Sequence, residues 1–143
     1  MRINEVLQSK GDSVVTVPPE TTVRDLVDLL RDHNIGAVVV SSGDRSVDGI
    51  VSERDVVRAL ADGVGVLDEP VSAIMTTQVW TVGPEESVHE LAKLLTEHRV
   101  RHVPVVVDGV LQGIVSIGDV VKSRIGELEF ERDQLSSYVT NAQ

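Results

Sequence analysis

Apolar and polar positions along this chain follow two rhythms, and the whole series comes round twice. Val14 to Val17 is a short β-branched run halted by Pro19. Thr22-x-x-Asp25 reads as a capping box, and Val23, Leu26, Val27 and Leu30 follow at helical spacing. Two strands come next, Ala37 to Val40 and Val47 to Val51, on either side of Gly43-Asp44. A second helix is predicted to begin at Ser52. The order then returns. Val79 to Val82 is stopped by Pro84, Ser87-x-x-Glu90 opens a helix, and Val88, Leu91, Ala92 and Leu95 give its apolar face. Strands His102 to Val107 and Val110 to Val115 flank Asp108-Gly109, a two-residue hairpin signal, and a last helix starts at Ser116.

The match between copies goes beyond pattern. Thr16-Val17-Pro18-Pro19-Glu20 returns as Thr81-Val82-Gly83-Pro84-Glu85, and the register holds through Leu26/Leu91, His33/His98 and Val40/Val105. One residue is lost in the turn, after which Gly49-Ile50-Val51-Ser52 returns as Gly113-Ile114-Val115-Ser116 and Asp55 as Asp119. The fold class is therefore α/β (α+β), two tandem β-α-β-β-α units. Units of this size are near the lower limit for standing alone, so they are expected to pack on one another with pseudo-two-fold symmetry. The expected divisions are 1–62, a Gly-containing connector 63–70, 71–125, and a C-terminal tail 126–143. In the tail Leu128, Leu135, Tyr138 and Val139 form a loose helical stripe for the module or for a second protomer.

Composition narrows the function. The net charge of −10 argues against nucleic acid or an anionic membrane as partner, because phosphate backbones repel an acidic surface. No apolar run reaches membrane-spanning length, and Met1-Arg2-Ile3-Asn4-Glu5 opens no signal-peptide pattern; the cytoplasm is the expected compartment. With no cysteine there is no thiolate metal site, and His33, His89, His98 and His102 form no closed ligand set. Aromatic residues are 2%, so a bound purine is expected to sit between aliphatic side chains. No Gly-x-x-x-x-Gly-Lys loop occurs, and neither Ser52 nor Ser116 has a neighbouring histidine to activate it. No catalytic set emerges, and the chain is not read as an enzyme.

The tandem order, each copy ending in Gly-Ile-Val-Ser-x-x-Asp, resembles the cystathionine beta-synthase (CBS) domain pair over about residues 1 to 125. Val71-Ser72-Ala73-Ile74-Met75-Thr76 is similar to that family's lead-in, while Ile3-Asn4-Glu5-Val6-Leu7 is followed by a longer loop, Gln8 to Ser13. The resemblance implies a module with a cleft on each side, often paired into a homodimer. It also implies an adenosine ligand: AMP, ADP, ATP, S-adenosylmethionine or NAD(H). The leading expectation is a stand-alone regulator that reports nucleotide binding to an unidentified partner protein. The alternatives are a ligand-independent dimeric scaffold and an accessory subunit of an enzyme.

Two readings stay open for the shared Ser-x-x-Asp. Ser52 and Asp55 can simply close a capping box. A strand ending at a helix start also aims free N–H groups at one spot, which suits phosphate. Ser52 can then bond a phosphate oxygen, Arg54 can neutralise its charge, and Asp55 can accept hydrogen bonds from a ribose diol. At the second copy's Ser116, Gly118 and Asp119, glycine replaces arginine and allows close approach. Arg99, Arg101 and His102 form a basic patch that is expected to compensate there, although cations near a helix C-terminus are also simply favourable. The corresponding first-copy positions are Asn34, Gly36 and Ala37, so the two clefts are expected to differ. Lys10 is a candidate phosphate contact. Val15, Thr16, Val38 and Val39, with Thr81, Val103 and Pro104 in the second copy, resemble the family's base-contacting positions, although valines in strands are usually core. Pro104, lacking an N–H, is expected at an edge or cleft.

Overall fold

The computed structural model describes residues 1–11 and 14–141, and shows five helices and two small sheets among them. The first unit contains β1 (Thr16–Val17), α2 (Val23–His33), β2 (Ala37–Val40), β3 (Gly49–Ser52) and α3 (Glu53–Leu60), preceded by α1 (Ile3–Lys10). The second contains α4 (Val88–His98), β4 (His102–Val107), β5 (Val110–Ser116) and α5 (Ile117–Asn141). Two 3₁₀ turns, Val64–Asp68 and Val71–Ala73, join the units.

Both units are built alike. β1 pairs parallel with β2 and β2 antiparallel with β3. In the second unit β4 pairs antiparallel with β5, and Val82 alone stands for the missing first strand through a parallel bridge to Val105. The runs Val14 to Val17 and Val79 to Val82 thus contribute shorter strands than their β-branched character predicts. The prolines behind them turn the chain away after one or two pairs. The Asp108-Gly109 turn has φ of 52° and 79°, the left-handed pair that a two-residue hairpin needs. Around Gly43-Asp44 the turn is wider: Asp44 and Arg45 both have positive φ, and β3 begins only at Gly49.

Thr22 and Ser87 each accept the N–H three residues on, but only half of each predicted capping box forms. The lead-ins bridge to those caps from the other unit. Arg2 bridges to Ser87 and Pro70 to Thr22. Their side chains continue the exchange. Ile3 and Val6 belong to the core of Val82, Val88, Leu91, Leu95, Val103, Val105 and Val115. Val71 belongs to the core of Val17, Val23, Leu26, Leu30, Val38, Val40, Val51 and Val56, with Ile74 and Met75 packed against it. Each sequence-continuous unit is therefore closed by the other's lead-in, which explains how two units this small obtain full cores.

This crossing also explains the repeated glycine before Ile-Val-Ser. A Cβ at Gly49 would stand 2.7 Å from Met75 Sδ and 2.9 Å from the Thr76 carbonyl. At Gly113 it would stand 2.7 Å from Leu7 Cδ2. The two lead-ins then part company. Thr76 exchanges backbone hydrogen bonds with Ile50, at 2.9 and 3.0 Å. In the first lead-in Gln8 to Lys10, expected as loop, continue α1 instead. Asp12 and Ser13 lie outside the described residues.

Candidate functional site

The start of β2 and the start of β4 meet at the pseudo-two-fold axis. A Cβ at Gly36 would lie 3.5 Å from both Cε1 and Nε2 of His102. Each start also anchors a helix of its own unit: Glu53 N–H donates to the Gly36 carbonyl and Ile117 N–H to the Arg101 carbonyl, both at 2.9 Å. Side chains leaving the β4 start consequently reach across to the helix start of the first unit.

The result is an open cleft of about 240 Å³ that gathers Gly36, Ala37, Ser52, Arg54, Asp55, Arg99, Arg101 and His102. Arg99 and Arg101 are thus placed against Ser52–Asp55 and not, as their position in the sequence suggested, against Ser116–Asp119. His102, which pairs with Ser116 and feels both Glu53 and Asp119, stands between the two helix starts. The cleft also contains residues that sequence reading missed. Arg58 lies one turn beyond Arg54 on α3, and Glu53, Gln78 and Trp80 complete the wall. Trp80, whose indole stacks on His98 at 3.7 Å and 18°, gives the cleft an aromatic surface where aliphatic walls alone were expected. The signal was there: it is the sole tryptophan.

Ser52 and Asp55 hold the helix start rigidly. The Ser52 N–H and hydroxyl donate to Asp55 Oδ2 at 2.8 and 3.1 Å, and the Asp55 N–H donates back to Ser52 Oγ at 3.4 Å. Asp55 Oδ1 has no partner among the described residues. Four arginines face two carboxylates in this cleft, and none of the four forms an ion pair among the described residues. In a chain of charge −10 this is a local reversal of sign. His102 is held below its ordinary pKa, chiefly because burial penalises the imidazolium. Glu53 opposes that shift, Lys10 and Arg101 add to it, and Asp119 opposes it.

The second helix start repeats the box: Ser116 N–H and hydroxyl donate to Asp119 Oδ2 at 2.9 and 3.1 Å. Here, however, Lys10 Nζ also donates to Asp119 Oδ2, at 2.8 Å, and to the Ile114 carbonyl at 2.6 Å. Ile114 is the counterpart of Ile50, whose carbonyl takes the Thr76 N–H. The extended α1 therefore replaces a backbone strand contact with an ammonium group. Lys10 is an ion-pair partner of Asp119 in this structure, where a phosphate contact was expected. A Cβ at Gly118 would meet nothing closer than Ser116 Oγ at 3.5 Å, an ordinary contact, so no protein neighbour demands glycine there.

The expected base-contacting positions fare unevenly. Val38 and Val103 point into the two cores, so the period-two alternation of a strand removes both side chains from any cleft. Pro104 is buried in mid-strand, with β5 on one side and the Val82 bridge on the other, and is not an edge residue. Val15 packs against the first core, while Thr16 and Thr81 are exposed outside the arginine cleft. A larger groove of about 750 Å³ runs between α1 and α5 and shares only Lys10 and Asp119 with the positions discussed. Among the described residues no three His, Asp or Glu side chains gather as a metal ion would require, and no helix is long and apolar enough to cross a membrane.

Comparison with known proteins agrees with this architecture. The mitochondrial CBS domain-containing protein CBSX3 of Arabidopsis thaliana is 37% identical over 96% of this chain and 71% of its own length. The crystal structure of a CBS-domain containing protein from Agrobacterium tumefaciens superposes with a TM-score of 0.83 at 42% identity, covering 87% of this chain and 99% of that one. A CBS domain protein from Pyrobaculum aerophilum, complexed with AMP, superposes with a TM-score of 0.74 at 32% identity over 83% and 89% of the two chains. The family model of the CBS domain matches residues 6–62 and again residues 71–126, and the chain accordingly belongs to the CBS domain family as a tandem pair.

Proposed function

We propose that this CBS pair is a regulatory module that binds an adenosine nucleotide in the Ser52–Asp55 cleft and passes its ligand state to another protein. The observation that carries this reading is the cluster of Arg54, Arg58, Arg99 and Arg101 around a helix N-terminus in an otherwise acidic chain. The AMP complex of the Pyrobaculum aerophilum relative supports an adenosine ligand. Phosphate oxygens fit the arginines and the Arg54 N–H in the first turn of α3, where the helix dipole adds positive potential. Asp55 Oδ1 is left to accept the ribose hydroxyls, because Oδ2 is engaged by Ser52. Trp80 and Ile50 offer apolar surface to the purine.

The second helix start differs. A nucleotide there must displace Lys10 from Asp119, so we assign one nucleotide to each chain. AMP, ADP, ATP and NAD(H) all carry the required diol and phosphate. The reading assigns the chain no reaction, a homodimeric state and a cytoplasmic location. A ligand-independent scaffold is the second reading, favoured by the fact that both Ser-x-x-Asp boxes satisfy themselves without ligand. Calorimetric titration with AMP, ADP, ATP and NADH separates the two. The nucleotide reading expects heat and a raised melting temperature with at least one of them, at one ligand per chain. No heat and no thermal shift at millimolar concentration would leave the scaffold.

A further inference from the structure

α5 extends far beyond the module it starts on. Val120 packs against the second core and Ser123 and Glu127 are half-buried, but every residue from Leu128 to Thr140 is exposed. A projecting helix of this length is not expected to stay ordered in water on propensity alone. Most of its exposed apolar residues share one line, with Phe130 and Tyr138 off it. Val121, Ile125, Leu128, Leu135 and Val139 are 47–66% exposed and fall on alternating a and d positions of one heptad frame, with Arg132 in the remaining a position. That seam lies about 130° around the helix from the line of Val120, Ser123 and Glu127, so the module does not cover it.

We propose that this seam pairs in parallel and in register with α5 of a second copy of the chain. Charge decides both partner and direction. In the parallel arrangement Arg124 at a g position meets the partner subunit's Glu129 at the following e position, and two-fold symmetry makes the pair twice. Glu131, at the next g position, flanks the partner subunit's Arg132 at a. The antiparallel arrangement that aligns the same six core positions sets Glu129 against Glu129 and Glu131 against Glu131, which repel. A single charged a position costs stability and in return fixes register and oligomer state. The interface gives a surface to the homodimer assigned above, and it does not depend on nucleotide binding.

The chain has no cysteine, so single introduced thiols report the interface directly. Under mild oxidation Leu135→Cys is expected to convert most of the protein to a covalent dimer, while Ser137→Cys, on the outer face of α5, does not. Light scattering should give two chains for the wild type and one for Leu128→Asp/Leu135→Asp. Arg124→Glu should weaken the dimer, and Arg124→Glu/Glu129→Arg should restore it. A wild type of single-chain mass overturns the proposal. So does a dimer whose mass survives Leu128→Asp/Leu135→Asp, or one that Leu135→Cys fails to link, since the chains then associate through another face. Nucleotide titration of the Leu128→Asp/Leu135→Asp protein keeps the ligand reading separate, because its cleft is untouched.

Discussion

Replacing Asp55 and Asp119 by alanine, one at a time, tests the assignment of a single nucleotide cleft, because the two carboxylates are local twins. Each accepts the N–H and hydroxyl of its serine through Oδ2, at 2.8 and 3.1 Å in one case and 2.9 and 3.1 Å in the other. Loss of either box should cost about 1 kcal/mol of stability, as for other N-cap losses. For a chain of this size that lowers the melting temperature by roughly 2–4 °C. The affinities should diverge. In the first cleft Asp55 Oδ1 is free for the ribose, and a hydrogen bond to a charged group contributes about 1.5–3 kcal/mol. Asp55→Ala should therefore weaken the nucleotide about 10- to 150-fold. Asp119 is already neutralised by Lys10, and its replacement should leave the same dissociation constant within about twofold. Calorimetry at fixed ionic strength reads the affinity, with salt held constant because an arginine cleft is screened by it. Equal losses in the two variants would show equivalent clefts. Wild-type affinity in Asp55→Ala, with the expected drop in melting temperature, would reduce Asp55 to a helix cap.

Four further outcomes follow from the same geometry. Lys10→Ala frees Asp119 and the Ile114 carbonyl and should raise the calorimetric stoichiometry from one nucleotide per chain toward two; an unchanged value would mean that Lys10 is not what closes the second cleft. Gly49→Ala drives a Cβ against the Thr76 carbonyl, which two hydrogen bonds to Ile50 hold in place, and overpacking of this kind costs about 1–3 kcal/mol. Gly113→Ala meets only the end of the Leu7 side chain, so it should melt at a higher temperature than Gly49→Ala, and equal melting temperatures would refute the argument. His102 is half-buried with a lowered pKa, so below the unfolded value of about 6.5 the unfolded chain binds the extra proton and stability falls. That loss should continue until pH reaches the folded pKa, and His102→Gln should remove it. A bound phosphate favours imidazolium, so binding should take up protons and tighten on mild acidification. Binding enthalpies that do not change between buffers of different ionisation heat would contradict this.

Most of the fold was legible because its signals are local and are written twice. The helices over Val23 to Leu30 and Val88 to Leu95 declared themselves by period, and Asp108-Gly109 declared its hairpin. What the sequence could not display was exchange between units. Ile3 and Val71 look like ordinary starts of the units they precede, yet each completes the other unit's core. Propensity carries no record of that, since an apolar residue fits either core equally well. The helical continuation through Lys10 was hidden for the same reason. Gln8-Ser9-Lys10-Gly11 reads as loop by composition, and only the packing of Leu7 on Gly113 and the pull of Asp119 on Lys10 extend the helix.

The same exchange gives the differences between copies their meaning. Counted along the sequence, Arg54 favours the first copy, while Arg99, Arg101 and His102 favour the second, which would share the charges out between two clefts. The pseudo-two-fold axis reverses half of that account, because side chains before a strand in one unit face the helix start of the other. Arg54, Arg99, Arg101 and His102 then all add to one cleft. Their counterparts, Gly118, Asn34, Gly36 and Ala37, carry no charge, so the other helix start keeps only Lys122, the counterpart of Arg58, and Lys10, which is bound to its carboxylate. Divergence after duplication has thus concentrated anion-binding capacity on one side of a nearly symmetric module. Under the proposed function, such a module would have one ligand face and one face whose ion pair is complete without ligand, a difference that a partner could read even though the two backbones are alike.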